Sequence, residues 1–269
     1  MTTNAIEFIK AERKRAKARI ALCGPSGSGK THSALRVAEG LAKTGRIAVI
    51  DTENSSAEME AGKPGIPPFD VVVMHAPFDP AKYIAGIKAA EAAGYEVLIV
   101  DSLSHAWAGS GGLLEKKDIL EKIKKNSFTA WREITPIHNK LIETMLQSNM
   151  HIIATIRTKT GMAMDTDGNG KVTVKKVGMD LVQRDGIDYE FTVVLDLDQA
   201  THVATPSKDR TSIFDTPDGK NLVVPSEEIG VQIREWLEGM EEKQPQSPAI
   251  TNRSRITART AAAKQPMHA

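Results

Sequence analysis

Residues 24–31 read Gly-Pro-Ser-Gly-Ser-Gly-Lys-Thr and follow directly on the apolar run Ala18-Arg-Ile-Ala-Leu-Cys23. This fits the phosphate-loop pattern G-x-x-x-x-G-K-[ST] in full, in the strand-to-helix setting the chemistry requires. Glycines at 24, 27 and 29 let the backbone turn its N–H groups inward onto phosphate oxygens, and the helix that follows adds the positive end of its dipole. Gly24, Pro25, Ser26, Gly27, Ser28, Gly29, Lys30, Thr31 and His32 are therefore the expected nucleotide contacts. Lys30 supplies a point charge to the β- and γ-phosphates, and the Thr31 hydroxyl is placed to ligate Mg²⁺. A chance match in a chain of this length is on the order of one in a hundred.

A second run, Glu96-Val-Leu-Ile-Val-Asp101, is an apolar strand ending in an acid. After a phosphate loop this is the Walker B form, with Asp101 holding the magnesium through its water shell. The next residue is Ser102, where the AAA+ class and many helicases carry a catalytic glutamate, so the base must come from elsewhere. The strand after the phosphate-loop helix ends Ile47-Ala-Val-Ile-Asp51-Thr52-Glu53. This resembles the RecA family, whose catalytic glutamate sits in such an acid–x–Glu setting. A carboxylate at Glu53 can polarise the water that attacks the γ-phosphate.

The resemblance extends further. Val100-Asp101-Ser102-Leu103 looks like the strand that leads into the first DNA-binding loop of RecA-like recombinases, and Ile153–Lys159 like the strand that opens the second. RecA carries a phosphate-sensing glutamine where this chain has Thr155. The phrases NSFTAWREITP, QRDGIDYEFTVV and ATPSKDRT are similar to the short RecA-like ATPases of bacteriophages, and the likeness covers roughly residues 15–240. It implies ATP hydrolysis with Mg²⁺, self-assembly into a filament or ring, and action on single-stranded DNA in homologous recombination or strand annealing. A single-stranded-DNA-binding protein is among the implied partners, and the host cytoplasm is the implied compartment. It also implies that Lys208 and Arg210 reach a neighbouring subunit's γ-phosphate, with Arg210 as the finger. Phe8-Ile-Lys-Ala11 fits a subunit-linking motif of that class, though an amphipathic helix packed on the body is the simpler reading.

Elements that could position these residues follow from periodicity. Apolar runs at Ala18–Leu22, Ile47–Ile50, Val71–Met74, Val97–Val100 and His151–Ile156 alternate with helical stretches at Thr31–Lys43, Pro80–Ala93, Leu113–Lys125 and Trp131–Gln147. That alternation predicts an α/β fold of the P-loop, RecA-like type, with a mostly parallel central sheet flanked by helices. Glu190–Leu197 and Thr201–Ala204 read as further strands and Glu227–Glu242 as a last helix. The expected organisation is a basic N-terminal helix over 1–17, a core over 18–242 and a disordered basic tail over 243–269. Residues 157–186 form a long polar, irregular region. Its cations, Arg157, Lys159, Lys171, Lys175, Lys176 and Arg184, are the expected DNA contacts. Asp165–Val172 imitates half a calcium loop, but Lys176 stands where a bidentate glutamate is needed, so a hairpin tip is the better reading.

Composition narrows the rest. The net charge of +1 combines +4 over residues 1–19, +5 over 243–269 and about −8 between them, a pattern suited to a polyanion partner. The single cysteine, Cys23, reads as a small buried side chain in a reducing compartment. No apolar run is long enough to span a bilayer, so no membrane partner is expected. Only three Trp, three Tyr and six Phe are present, and no base-stacking platform is evident from their spacing. Two other readings stay open: an oligomeric DNA motor such as a helicase or helicase loader, and a nucleotide-gated DNA-binding protein with negligible hydrolysis.

Overall fold

The computed structural model describes residues 16–166, 172–216, 219 and 221–239, with the side chains of 160–178 outside it. Residues 1–15 of the expected N-terminal helix and the whole of the basic tail thus lie outside the described residues, and residues 16 and 17 are not helical. Among the described residues, eight strands and six helices follow one another along the chain: β1 (Arg19–Gly24), α1 (Lys30–Leu41), β2 (Ile47–Asp51), β3 (Asp70–Val73), α2 (Pro80–Ala92), β4 (Val97–Asp101), α3 (Ser104–Ala108), α4 (Leu113–Lys124), α5 (Ser127–Gln147), β5 (His151–Thr166), β6 (Val172–Leu181), β7 (Val193–Leu197), β8 (Ala204–Asp209) and α6 (Glu227–Glu238).

The sheet runs β3-β2-β4-β5-β1-β7-β8, with β6 paired to β5 alone. All pairings from β3 through β7 are parallel, and β8 returns antiparallel along β7. This is the α/β architecture that the apolar runs predict. Period-2 alternation divides each central strand between two cores. Ile20 and Leu22 of β1 face a cluster completed by α1 and α6, while Ala21 and Cys23 face one completed by α2 and α5. Covering both faces is what lets a parallel sheet read as unbroken apolar runs. Cys23 is buried there as a thiol.

Helix ends follow local chemistry. Asp79 accepts from Ala81 N–H to cap α2, with Pro80 in the first turn. Asn126 caps α5 through Thr129 N–H, starting that helix four residues before the expected Trp131. Buried Arg19 donates to the carbonyls of Leu146, Ser148 and Met150, supplying donors to the carboxyl end of α5 and the chain beyond it.

Three expectations need correction. The region after Ile156 is not irregular: β5 continues to Thr166 and pairs antiparallel with β6, making a hairpin whose tip, residues 167–171, lies outside the described residues. The last strand is Ala204–Asp209 rather than Thr201–Ala204, because Asp198 accepts from Ala200 N–H, Thr201 N–H and the Thr201 hydroxyl and so turns the chain there. The last helix ends at Glu238, where Gly239 takes a left-handed conformation.

Candidate functional site

Strand register brings the candidate residues to one edge of the sheet. Asp51 of β2 lies beside Asp101 of β4, and Gly24 of β1 lies beside Arg157 of β5. The phosphate loop leaves this edge between β1 and α1. Gly27 and Gly29 both have positive φ, which side-chain-bearing residues adopt only at a cost. A Cβ on Gly24 would lie 2.5 Å from Ser28 Oγ, so the loop closes on itself tightly. Lys30 is buried at the first turn of α1 and donates to the carbonyls of Gly24 and Pro25 at 2.9 and 2.7 Å. Burial lowers its pKa against the opposing pull of Asp101 and Glu53.

Asp101 is buried at the end of β4 and takes two hydroxyl donors. Thr31 Oγ1 donates to Oδ2 at 2.6 Å, and Thr155 Oγ1 donates to Oδ1. Burial pushes its carboxyl above the ordinary range, and the two hydroxyl donors pull the other way. Thr155 is therefore spent on bracing Asp101 rather than reaching out toward a phosphate. The Asp101–Ser102 peptide is cis.

Glu53 stands on a turn built by Asp51, whose carboxylate accepts from Glu53 N–H at 2.6 Å and from Ala57 N–H at 2.8 Å. Its partner is Arg157. The guanidinium Nε donates to Oε1 at 2.8 Å and an Nη donates to Oε2, a bidentate pair. Burial raises the Glu53 carboxyl, but the hydrogen bonds and charge of Arg157, with help from Ser102 and His105, outweigh it and hold the group below its ordinary value. Thr52 locks this turn to the end of β4: it donates to Asp101 O at 2.6 Å from its N–H, accepts from Ser102 N–H at 2.8 Å, and shares a 2.8 Å hydrogen bond with His105 Nδ1.

The donor set fits a magnesium-bound nucleoside triphosphate. Ser28 Oγ is buried without a hydrogen-bond partner among the described residues, the loop backbone turns through two positive-φ glycines, and the Thr31 and Asp101 oxygens converge where a hard cation could be held. Bound there, Mg²⁺ would neutralise charge building on the transferred phosphoryl group. Lys30 and the loop N–H groups would hold the phosphates, and Glu53 would orient water.

The family model described as an AAA domain matches residues 16–221, the span that contains every element of this site. The chain belongs to that family. No curated protein matches it at a significant level. The AAA domain is a P-loop nucleotide-binding domain of the ATPase type.

The remaining candidates of the AAA domain are scattered. His32 pairs with Glu60 at 2.9 Å on the outer side of α1. Lys208 closes β8, donating to the carbonyls of Asp188 and Tyr189, and Arg210 donates to Tyr189 O at 3.2 Å. Because β8 is antiparallel, Arg210 sits at the sheet edge opposite the phosphate loop, while Lys208 lies level with Ala21 in the middle of β1: Arg210 N–H bonds Thr192 O, and Thr192 N–H bonds Arg19 O at the start of β1. Five residues of strand put roughly 17 Å between that point and Gly24. Among the DNA candidates, Arg157 is held by Glu53, Lys159 is exposed on β5, and Arg184 follows β6. Lys175 and Lys176 lie on β6 opposite Ala163 and Met162, and Lys171 is outside the described residues.

Sequence reasoning missed Gln199 and His202. Gln199 Nε2 donates to Ser26 O at 2.8 Å, and the His202 ring packs close against Gly29, so the β7–β8 turn clasps the phosphate loop. No periodicity signals such a contact across 173 residues.

Proposed function

We propose that this AAA domain is a RecA-like ATPase that couples ATP hydrolysis to single-stranded DNA, in homologous recombination or strand annealing, and that it assembles with copies of itself. One observation supports this reading above the others. The same strand, β5, braces Asp101 through Thr155, holds Glu53 through Arg157, and then runs on into the hairpin that bears Lys159 and leads to Lys175 and Lys176 on β6. A cationic hairpin wired to the hydrolytic residues is what a DNA-dependent ATPase needs: phosphate contacts supply affinity without sequence choice, and the strand relays occupancy.

The opposite placement of Arg210 supports assembly. Too far along the sheet to serve its own phosphate loop, it suits the site of a neighbouring copy. The test is steady-state ATPase with and without single-stranded DNA, alongside electron microscopy of the protein with both. Stimulation with ordered filaments or rings supports the reading. Unchanged turnover, or unwinding of duplex DNA, sinks it.

A further inference from the structure

Two tryptophans far apart in sequence meet in the fold. Trp107 on α3 and Trp131 on α5 stack with ring centroids 5.9 Å apart at 22°. Trp107 is nearly buried at 9% exposure, and His138 meets its ring edge-on at 5.7 Å. Trp131 is only partly covered, with Lys117 Nζ 5.8 Å from its centroid. Arg184 and Asp185, just past β6, face the two indoles across a cleft of about 250 Å³. A larger neighbouring cavity of about 750 Å³ shares Trp107, Arg184 and Asp185 and adds Lys159 of the hairpin together with Asp180, Asp188 and Asp196. Neither Arg184 nor Lys159 has a side-chain hydrogen bond or ion pair among the described residues.

The chemistry of this cleft selects its occupant. Its one cation and one anion cancel, so it is poorly suited to phosphate, which would meet the Asp185 carboxylate. Two indole rings and a guanidinium plane suit a flat, neutral heteroaromatic ring. The Asp185 carboxylate can accept from an exocyclic amino group at the edge of such a ring. We infer that Trp107, Trp131, Arg184 and Asp185 form a stacking site for one unpaired nucleobase of a single strand, beside the hairpin that holds its phosphates. This rests on the reading of the chain as a single-strand-binding ATPase.

The experiment measures binding of a short oligodeoxycytidine, and of an abasic strand of equal length, to the full chain and to Trp131→Ala and Trp131→Phe. The alanine variant is expected to bind the cytidine strand about 5- to 100-fold more weakly, with phenylalanine restoring most of the loss. The salt slope should stay unchanged, since every phosphate contact is kept. The abasic strand should bind the parent protein as weakly as the cytidine strand binds Trp131→Ala, and the substitution should add nothing to that loss. Equal parent affinity for the two strands overturns the stacking site while leaving single-strand binding intact, and it needs no variant to fold. Competition by free AMP at the strand's own working concentration also overturns it, reassigning the cleft to mononucleotides. Failure of the parent protein to bind either strand overturns the single-strand reading itself.

Discussion

Glu53 is held between two opposed influences, burial and a bidentate arginine, and each can be removed separately. If Glu53 is the base as proposed, Glu53→Gln keeps the shape and removes it, so ATP binding should persist while turnover falls by about 10²- to 10⁴-fold. Lys30→Ala should weaken both, because the ammonium neutralises phosphate charge in ground and transition states alike; equilibrium nucleotide binding beside steady-state rates separates the two outcomes. The Arg157 pairing carries a pH consequence. Burial raises the Glu53 carboxyl and Arg157 more than offsets it, so in the parent protein this carboxylate stays ionised until pH falls below the ordinary glutamate range. In Arg157→Ala burial acts with little opposition, the carboxyl rises, and the acidic limb of the kcat–pH profile should move to higher pH. A limb that stays in place would mean that another group controls it. Lys30, Thr31 and Asp101 are legible in the sequence because a phosphate loop is a local device, complete within eight residues and one strand end. Arg157 is legible only as a cation. Its partner lies 104 residues away, and only strand register reveals it.

At the scale of elements, the phosphate-loop helix is positioned by a close crossing. A Cβ on Gly230 of α6 would lie 2.1 Å from Val37 O on α1, and one on Gly40 would lie 1.9 Å from Glu227 O. Gly230→Ala must therefore part the two helices, and an overpacking cost of about 1–3 kcal/mol is expected in urea unfolding. The start of β1 carries a titratable counterpart. Ala18 N–H donates to His151 Nδ1 at 3.0 Å, and burial first, then Lys17 and Arg19, lower the imidazole pKa to about 4. A depressed histidine contributes stability that is whole above its unfolded value of about 6.5 and is lost as pH falls toward 4. By pH 5 the loss relative to pH 8 should be about 2 kcal/mol, and His151→Gln should lack that share of the acid sensitivity. Parallel strands and their helices are readable here because burial on both faces leaves an unbroken apolar signature. The hairpin is readable only at its tip, where Asp165–Val172 spells a turn, because the sequence of its two strands carries no unbroken apolar run. The position of β8 escapes the same reading because an aspartate-capped turn occupies residues that look like strand.

At the scale of the whole molecule, the two sheet edges carry different halves of one proposed site. Arg210→Ala should be nearly inactive alone, and so should Lys30→Ala. Mixed assemblies should regain activity, since some interfaces then pair an intact loop with an intact finger; no recovery in demonstrably mixed oligomers would confine Arg210 to its own subunit. Changing Lys175 and Lys176 to Ala should lower single-strand affinity and DNA-stimulated turnover together. The same change should shallow the salt dependence by about 0.7 in log–log slope for each lysine–phosphate pairing removed. Strand β5 then bears on more than placement. Its 16 residues reach roughly 50 Å, from the buried sheet past Asp101 and Glu53 into the hairpin. A ligand that biases one end of such a continuous beam is thermodynamically bound to be biased by the other. If single-stranded DNA tightens nucleotide binding by some factor, the nucleotide must tighten DNA binding by that same factor. Binding constants measured around the four-sided cycle of free, nucleotide-bound, DNA-bound and doubly bound protein must close, and in Arg157→Ala the shared factor should shrink toward one in both directions at once.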